Sequence, residues 1–157
     1  MKIAQIELDT LDRAILRELQ RNGRLTNAEL AERIGLSASA CLRRVRLLEE
    51  RGLIASYAAI LSQRTCGLPG TAFIHISLEQ QGRAALDAFE RSVAQVPEIL
   101  ECHLLAGQSD YLVRVVYRDA DDLERIHTET LTQLPGVTRV QSTLTLRTVK
   151  KTTALPI

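Results

Sequence analysis

The chain has 157 residues, 45% of them apolar, and a formal net charge of +1 from 20 Lys or Arg against 19 Asp or Glu. That suffices for one domain or two small ones with a packed core, and it excludes a global positive field as the means of drawing in nucleic acid. Cys41, Cys66 and Cys102 form no C-x-x-C pair, so neither a zinc site nor a disulfide framework is indicated; no signal peptide or membrane-length apolar run is read, and the cytoplasm is the expected compartment.

In chain order, Asp9 caps a first helix whose apolar stripe is Leu11, Ile15, Leu16 and Leu19. Thr26 and Glu29 form a capping box, so a second helix begins at Asn27, with Leu30, Ala31 and Ile34 on its apolar face. Gly35 permits the left-handed backbone that ends it, and Ser37 caps a third helix. There Cys41, Val45 and Leu48 point inward at i, i+4 and i+7, while Ser39, Arg43 and Arg46 lie on another side. Gly52 ends that helix. Two short helices joined by a tight turn, the second rich in arginine, have the spacing of a helix-turn-helix, whose second helix enters the major groove of double-stranded DNA. Arginine outnumbers lysine 17 to 3, and its planar fork suits guanine and phosphate. An arginine-rich helix is also commonly a solvated face; the capping signals, the Gly turn and the exposed Ser and Arg together favour DNA. Leu53–Tyr57 reads as extended chain, a short wing or an exit strand.

Gly67, Pro69 and Gly70 mark residues 61–70 as a linker between a DNA-binding domain, 1–60, and a second domain, 71–157. Thr71–Leu78 alternates, with Ala72, Ile74, Ile76 and Leu78 on one face of a strand. Residues 83–95 are helical through Leu86, Phe89 and Val93, and Pro97 closes them. Ile99–Leu105 and Tyr111–Tyr117 are strands around the loop AGQSD. Residues 120–133 are a helix with Leu123, Ile126, Thr130 and Leu134 on one side; Pro135-Gly136 turns, and Val137–Thr148 alternates as the last strand. The class is α+β: a winged helix-turn-helix followed by a ferredoxin-like βαββαβ domain. Helices on one face of its sheet leave the other face to be covered, most economically by a second copy.

At this point the chain resembles the leucine-responsive, or feast/famine, transcriptional regulators, the Lrp/AsnC family. The likeness spans nearly the whole chain. It is carried by LDTLDRAILRELQRNGRLTNAELAERIGLS, CLRRVRLLEERGLI, ECHLLAGQSDYLVRV, LPGV and the tail KKTTALPI. It implies a regulator that binds DNA as a homodimer assembling to a higher oligomer, typically an octamer, and senses a small effector, usually an amino acid, between dimers. Ser37, Ser39, Arg43, Arg44 and Arg46 match the family's DNA-facing positions, with Ser39 and Arg43 first for base contact. Ser37 also suits the helix cap alone, and Arg44 either a phosphate anchor or a fold-stabilising role. Leu47 stands where the family usually has a basic residue.

Gly107, Gln108, Ser109, Asp110 and Tyr111 match the family's effector loop, and Leu134, Thr143 and Thr145 match positions lining its pocket. A Gly turn can offer backbone N–H groups to a carboxylate, and Asp110 an anion to an ammonium group. Family members commonly carry a further acid near Gln108, which this chain lacks; a plain strand connection with Asp110 as a turn residue is the alternative.

Two other classes compete. Ferredoxin-like domains can be enzymes. Yet His75, His103 and His127 form no recognisable triad or metal cluster in sequence, and no nucleophile motif or phosphate loop appears, so neither an enzyme nor a cofactor is expected. An effector-independent DNA-organising protein would keep the same arginines, and sequence does not separate it from a sensor.

Overall fold

The computed structural model describes residues 7–157. Residues 1–6, assigned above to the first domain, lie outside the described residues. The described residues divide into two compact units, 7–60 with 150–157, and 61–149.

The first unit is a three-helix bundle: α1 (Thr10–Arg21), α2 (Asn27–Ile34) and α3 (Ala38–Glu50). The Asp9 carboxylate accepts from the Asp12 N–H at 2.8 Å and caps α1. The Thr26 N–H donates to Glu29 Oε2 at 2.7 Å, while Thr26 Oγ1 accepts from the Glu29 N–H at 3.2 Å, the reciprocal box anticipated from sequence. Gly35 takes φ 70°, which lets the Leu36 N–H reach the Ala31 carbonyl at 2.9 Å and close α2. The Asn27 amide donates to the Ala38 carbonyl at 2.7 Å, stitching the start of α2 to the first turn of α3. Ile15, Leu16, Leu30, Ala31, Cys41 and Leu48 make the core. Truncating one of these leucines to alanine costs about 2–5 kcal/mol.

Two sequence expectations change here. Leu53–Tyr57 makes no strand pairing, and among the described residues the first unit holds no strand; the Leu53 and Ile54 N–H groups donate to the Leu48 carbonyl at 2.9 and 3.3 Å. Tyr57 is held instead by its hydroxyl, which donates to Glu49 at 3.0 Å. Residues 150–157, expected in the second domain, belong to the first unit. Ile157 packs on its core, the Arg17 Nε donates to the Ile157 backbone oxygen at 2.6 Å, and Gln20 exchanges two hydrogen bonds with the Leu155 backbone. The cause is an apolar remainder: the three helices leave core surface that Ile157 covers.

The second unit is a four-stranded sheet, ordered β2-β3-β1-β4 with every neighbour antiparallel. Its elements are β1 (Gly70–Leu78), α4 (Arg83–Val93), β2 (Ile99–Leu104), β3 (Tyr111–Tyr117), α5 (Ala120–Arg125) and β4 (Val137–Leu144). Ala72, Ile74, Ile76 and Leu78 are all buried, as their alternation requires. They pack with Phe89, Val93, Val113, Val115 and Ile126. The linker is a turn belonging to this unit, where Gln63 Nε2 donates to the Gly70 carbonyl at 2.9 Å and to Thr71 Oγ1 at 3.0 Å.

The last helix and strand differ from expectation. After α5 the chain widens into a π turn (Ile126–Thr130) and tightens into a 3-10 turn (Leu131–Gln133). An i→i+5 turn carries the inward face from Ile126 to Leu131, so Leu131 is buried where helical spacing had placed Thr130. The strand β4 ends at Leu144, four residues short of the expected Thr148. Beyond it a single backbone bond to β1 remains, from the Thr145 N–H to the Thr71 carbonyl at 3.0 Å.

Candidate nucleic-acid interface and effector loop

The helix α3 divides cleanly. Cys41 and Leu48 are buried in the bundle, and Ser39, Arg43 and Arg46 are exposed on the opposite side. Among the described residues neither Arg43 nor Arg46 has an ion-pair partner, so both guanidiniums are available to an external anion. Ser37 Oγ caps α3 by accepting from the Ala40 N–H at 3.3 Å and lies 3.3 Å from Ser39 Oγ. The cap uses one lone pair and leaves the exposed hydroxyl able to bond outward. Leu42 and Leu47 flank this polar stripe, 39% and 37% exposed.

Arg44 is different. Its Nη1 lies 2.7 Å from Asp9 Oδ2 and 2.7 Å from Asp12 Oδ1, both supplied by α1 and its cap. The backbone N–H of Asp12, with the Arg44 guanidinium beside it, holds the Asp9 carboxyl below the usual carboxylate range; the two carboxylates raise the Arg44 pKa in turn. Two acids pair with its charge and link α1 to α3, which supports the fold-stabilising alternative for Arg44 over the phosphate anchor. Sequence reasoning missed Asp12 because the pairing crosses 32 residues; its only trace is a second acid one turn after the cap.

The loop between β2 and β3 is tied to the sheet. The Asp110 carboxylate accepts from the Leu78 N–H at 2.7 Å, the Asp110 N–H donates to the Ile76 carbonyl at 3.0 Å, and the Asp110 carbonyl accepts from the Leu105 N–H at 2.8 Å. Ser109 Oγ lies 3.0 Å from His75 Nδ1. Tyr111 is 1% exposed; its ring sits 4.5 Å from that of Phe89 and its hydroxyl donates to Glu90 at 2.8 Å. Burial, with that acceptor, pushes the phenol pKa up. Gly107 and Gln108 are exposed. Gly107 has no positive φ, and a Cβ there would meet nothing within 4 Å, so the turn itself does not demand glycine.

The eight effector-loop and pocket residues do not converge within one copy. The loop sits at the Ile76–Leu78 end of β1, and Leu134 is buried in the core near the start of β4. Thr143 pairs with Phe73, and Thr145 bonds Thr71 at the other end. The Thr71 and Ile76 attachments lie five residue steps apart along the strand, about 17 Å.

Cys102 lines a groove of about 440 Å³ between α4 and β2, with Glu90, Val93, Leu100 and Leu104. Burial, with the Glu90 carboxylate nearby, pushes its thiol up to about 11, which disfavours the thiolate. No helix among the described residues is long and apolar enough to cross a membrane.

Comparison with known proteins also gives two domains, though the second family match runs on into residues 150–155, which pack with the first unit. Residues 8–55 match the winged helix-turn-helix DNA-binding model, and residues 71–155 match the Lrp/AsnC ligand binding domain. The chain is similar to the leucine-responsive regulatory protein of Rhizobium meliloti, 43% identical over 148 residues, covering 94% of this chain and 95% of that one. Among solved structures it is similar to a transcriptional regulator from Neisseria meningitidis in complex with L-Met, with 42% identity, TM-score 0.91, and 96% and 97% of the two chains covered. An AsnC family transcriptional regulator from Agrobacterium tumefaciens superposes with TM-score 0.90 at 33% identity, covering 95% and 97%. A DNA-reading helix pair and a ligand-binding domain, matched along both units, make this chain a member of the Lrp/AsnC family of DNA-binding transcriptional regulators.

Proposed function

We propose that this regulator reads double-stranded DNA in a sequence-specific way through Ser39, Arg43 and Arg46, with Ser37 at the phosphate backbone. The observation that carries the reading is two arginines without an ion-pair partner among the described residues, beside the exposed Ser39 hydroxyl on the same face of α3. Two such helices, one from each copy, would address half-sites one helical turn apart or a multiple of it. The second copy is assigned to the open face of the sheet, where Phe73 is 38% exposed beside Arg114 and His75 pairs with Leu112. The homodimer then assembles to a larger oligomer, with an octamer as the expected form. The protein catalyses no reaction in this reading, and works in the cytoplasm.

An amino acid is the proposed effector, bound through Gly107–Tyr111 of one copy with Thr143 and Thr145 supplied by another. The L-Met complex of the Neisseria relative supports the ligand class. The separation of the loop from the two threonines supports a shared pocket. Such a ligand shifts assembly only by as much as its affinities for the two assemblies differ. Because the Asp110 carboxylate already serves the Leu78 N–H, the effector-independent DNA-organising role is the second reading.

Two measurements test this. Arg43→Ala should cost roughly 1–3 kcal/mol on a duplex selected by the wild-type protein and less on random DNA. Equal losses would make Arg43 a phosphate contact, and no loss would remove it from the interface. A thermal-shift screen of the twenty amino acids should find at least one that raises the melting point by mass action. No shift from any of them would favour the DNA-organising role.

A further inference from the structure

Leu42 is an apolar side chain standing on the DNA-reading face of α3, 39% exposed. It does not belong to the apolar core of the bundle, which takes Cys41, Val45 and Leu48 from the same helix. At 100° per residue it lies roughly 60° around the helix from Ser39 and 40° from Arg46, on the flank of the polar stripe. It is the fifth residue of α3, in the N-terminal half that a recognition helix presents to base edges. Leu47, the other exposed leucine, lies on the opposite flank and further along the helix, where it lines a groove with Leu8 and Arg44.

The floor of the major groove offers an exposed leucine one apolar group, the thymine 5-methyl, and no other base carries it. Serine and arginine read donors and acceptors and gain little from a methyl group. We infer that Leu42 is a specificity-determining residue that packs on a thymine 5-methyl group beside the bases contacted by Ser39 and Arg43. The inference rests on the assignment of α3 as the DNA-reading helix.

The test uses the full-length protein and a duplex it enriches from a random library. Each thymine of one half-site is replaced singly by deoxyuridine, which removes the 5-methyl and changes no other atom. At one thymine the wild type should lose about threefold to fourfold in affinity, the factor carried by burying one methyl group. Leu42→Ala should bind the thymine and uracil duplexes equally there, and Leu47→Ala should keep the wild-type preference. Leu42 lies outside the core, so its truncation leaves the fold intact. The inference is overturned if no thymine is sensitive, or if Leu42→Ala retains the same uracil penalty. Failure to enrich any duplex would overturn the DNA-reading assignment itself, and this inference with it.

Discussion

Arg44 on α3 lies 2.7 Å from the carboxylate of Asp12 on α1, and the same guanidinium nitrogen lies 2.7 Å from Asp9. An arginine matched to a DNA-facing position thus pairs its charge with two carboxylates from α1 and its cap, bridging α1 to the helix that carries Arg43 and Arg46. Arg44→Ala should lower the thermal midpoint of the first unit by several degrees. A double-mutant cycle with Asp12→Asn should show coupling, since the two residues share one contact. Well below that midpoint, DNA affinity should be close to wild type. A uniform loss on all duplexes with unchanged stability would return Arg44 to the phosphate backbone.

Asp110 carries two hypotheses that one pair of variants separates. Asp110→Ala leaves the Leu78 N–H without its acceptor, at a cost of about 1–3 kcal/mol in stability. Asp110→Asn keeps an oxygen there and removes only the charge, so stability should hold. If the carboxylate meets the ammonium group of an amino acid, calorimetric titration of Asp110→Asn should show weakened binding. Unchanged affinity would leave Asp110 as a turn residue alone.

Asp122 gives the second unit a pH dependence. It is 5% exposed and accepts from the Arg118 N–H at 3.0 Å, with the Arg118 and Arg125 guanidiniums at 3.3 and 3.0 Å. The Arg118 N–H first, then the two guanidiniums, hold its carboxyl down to about 2. A depressed carboxylate stabilises the fold above its unfolded pKa, and that contribution is lost as pH falls toward the folded value. The stability gap between wild type and Asp122→Asn should therefore be constant above roughly pH 5 and close between about pH 4 and pH 2. A gap as wide at about pH 2 as at about pH 6 would show that the charge is not its source.

The tail and the two units can be tested by truncation. Residues 61–149 should fold and self-associate without binding DNA, because that unit completes its own core. Ending the chain after Val149 removes Ile157 from the first core and the Leu155 backbone from Gln20. We expect a loss of about 1–2 kcal/mol in that unit, read as faster amide exchange along α1. Unaltered exchange would mean that the tail contributes nothing to its stability.

Much of this was legible in the residues alone. The capping box at Thr26 and Glu29, the Gly35 turn and the alternation of Ala72, Ile74, Ile76 and Leu78 are local patterns, and local geometry decides them. The polar stripe of α3, Ser39, Arg43 and Arg46, follows from its spacing opposite Cys41 and Leu48; the exposure of Leu42 and Leu47 beside it does not. Tertiary structure decided the rest. It chose Asp12 as the partner of Arg44, brought Ile157 back to α1, placed Leu131 rather than Thr130 in the core and set the Asp110 carboxylate on Leu78. Each of those outcomes joins atoms distant in sequence or depends on a turn that departs from 3.6 periodicity. Periodicity and spacing describe one element at a time; the destination of a charge, a tail or a carboxylate is set by whatever the fold places next to it.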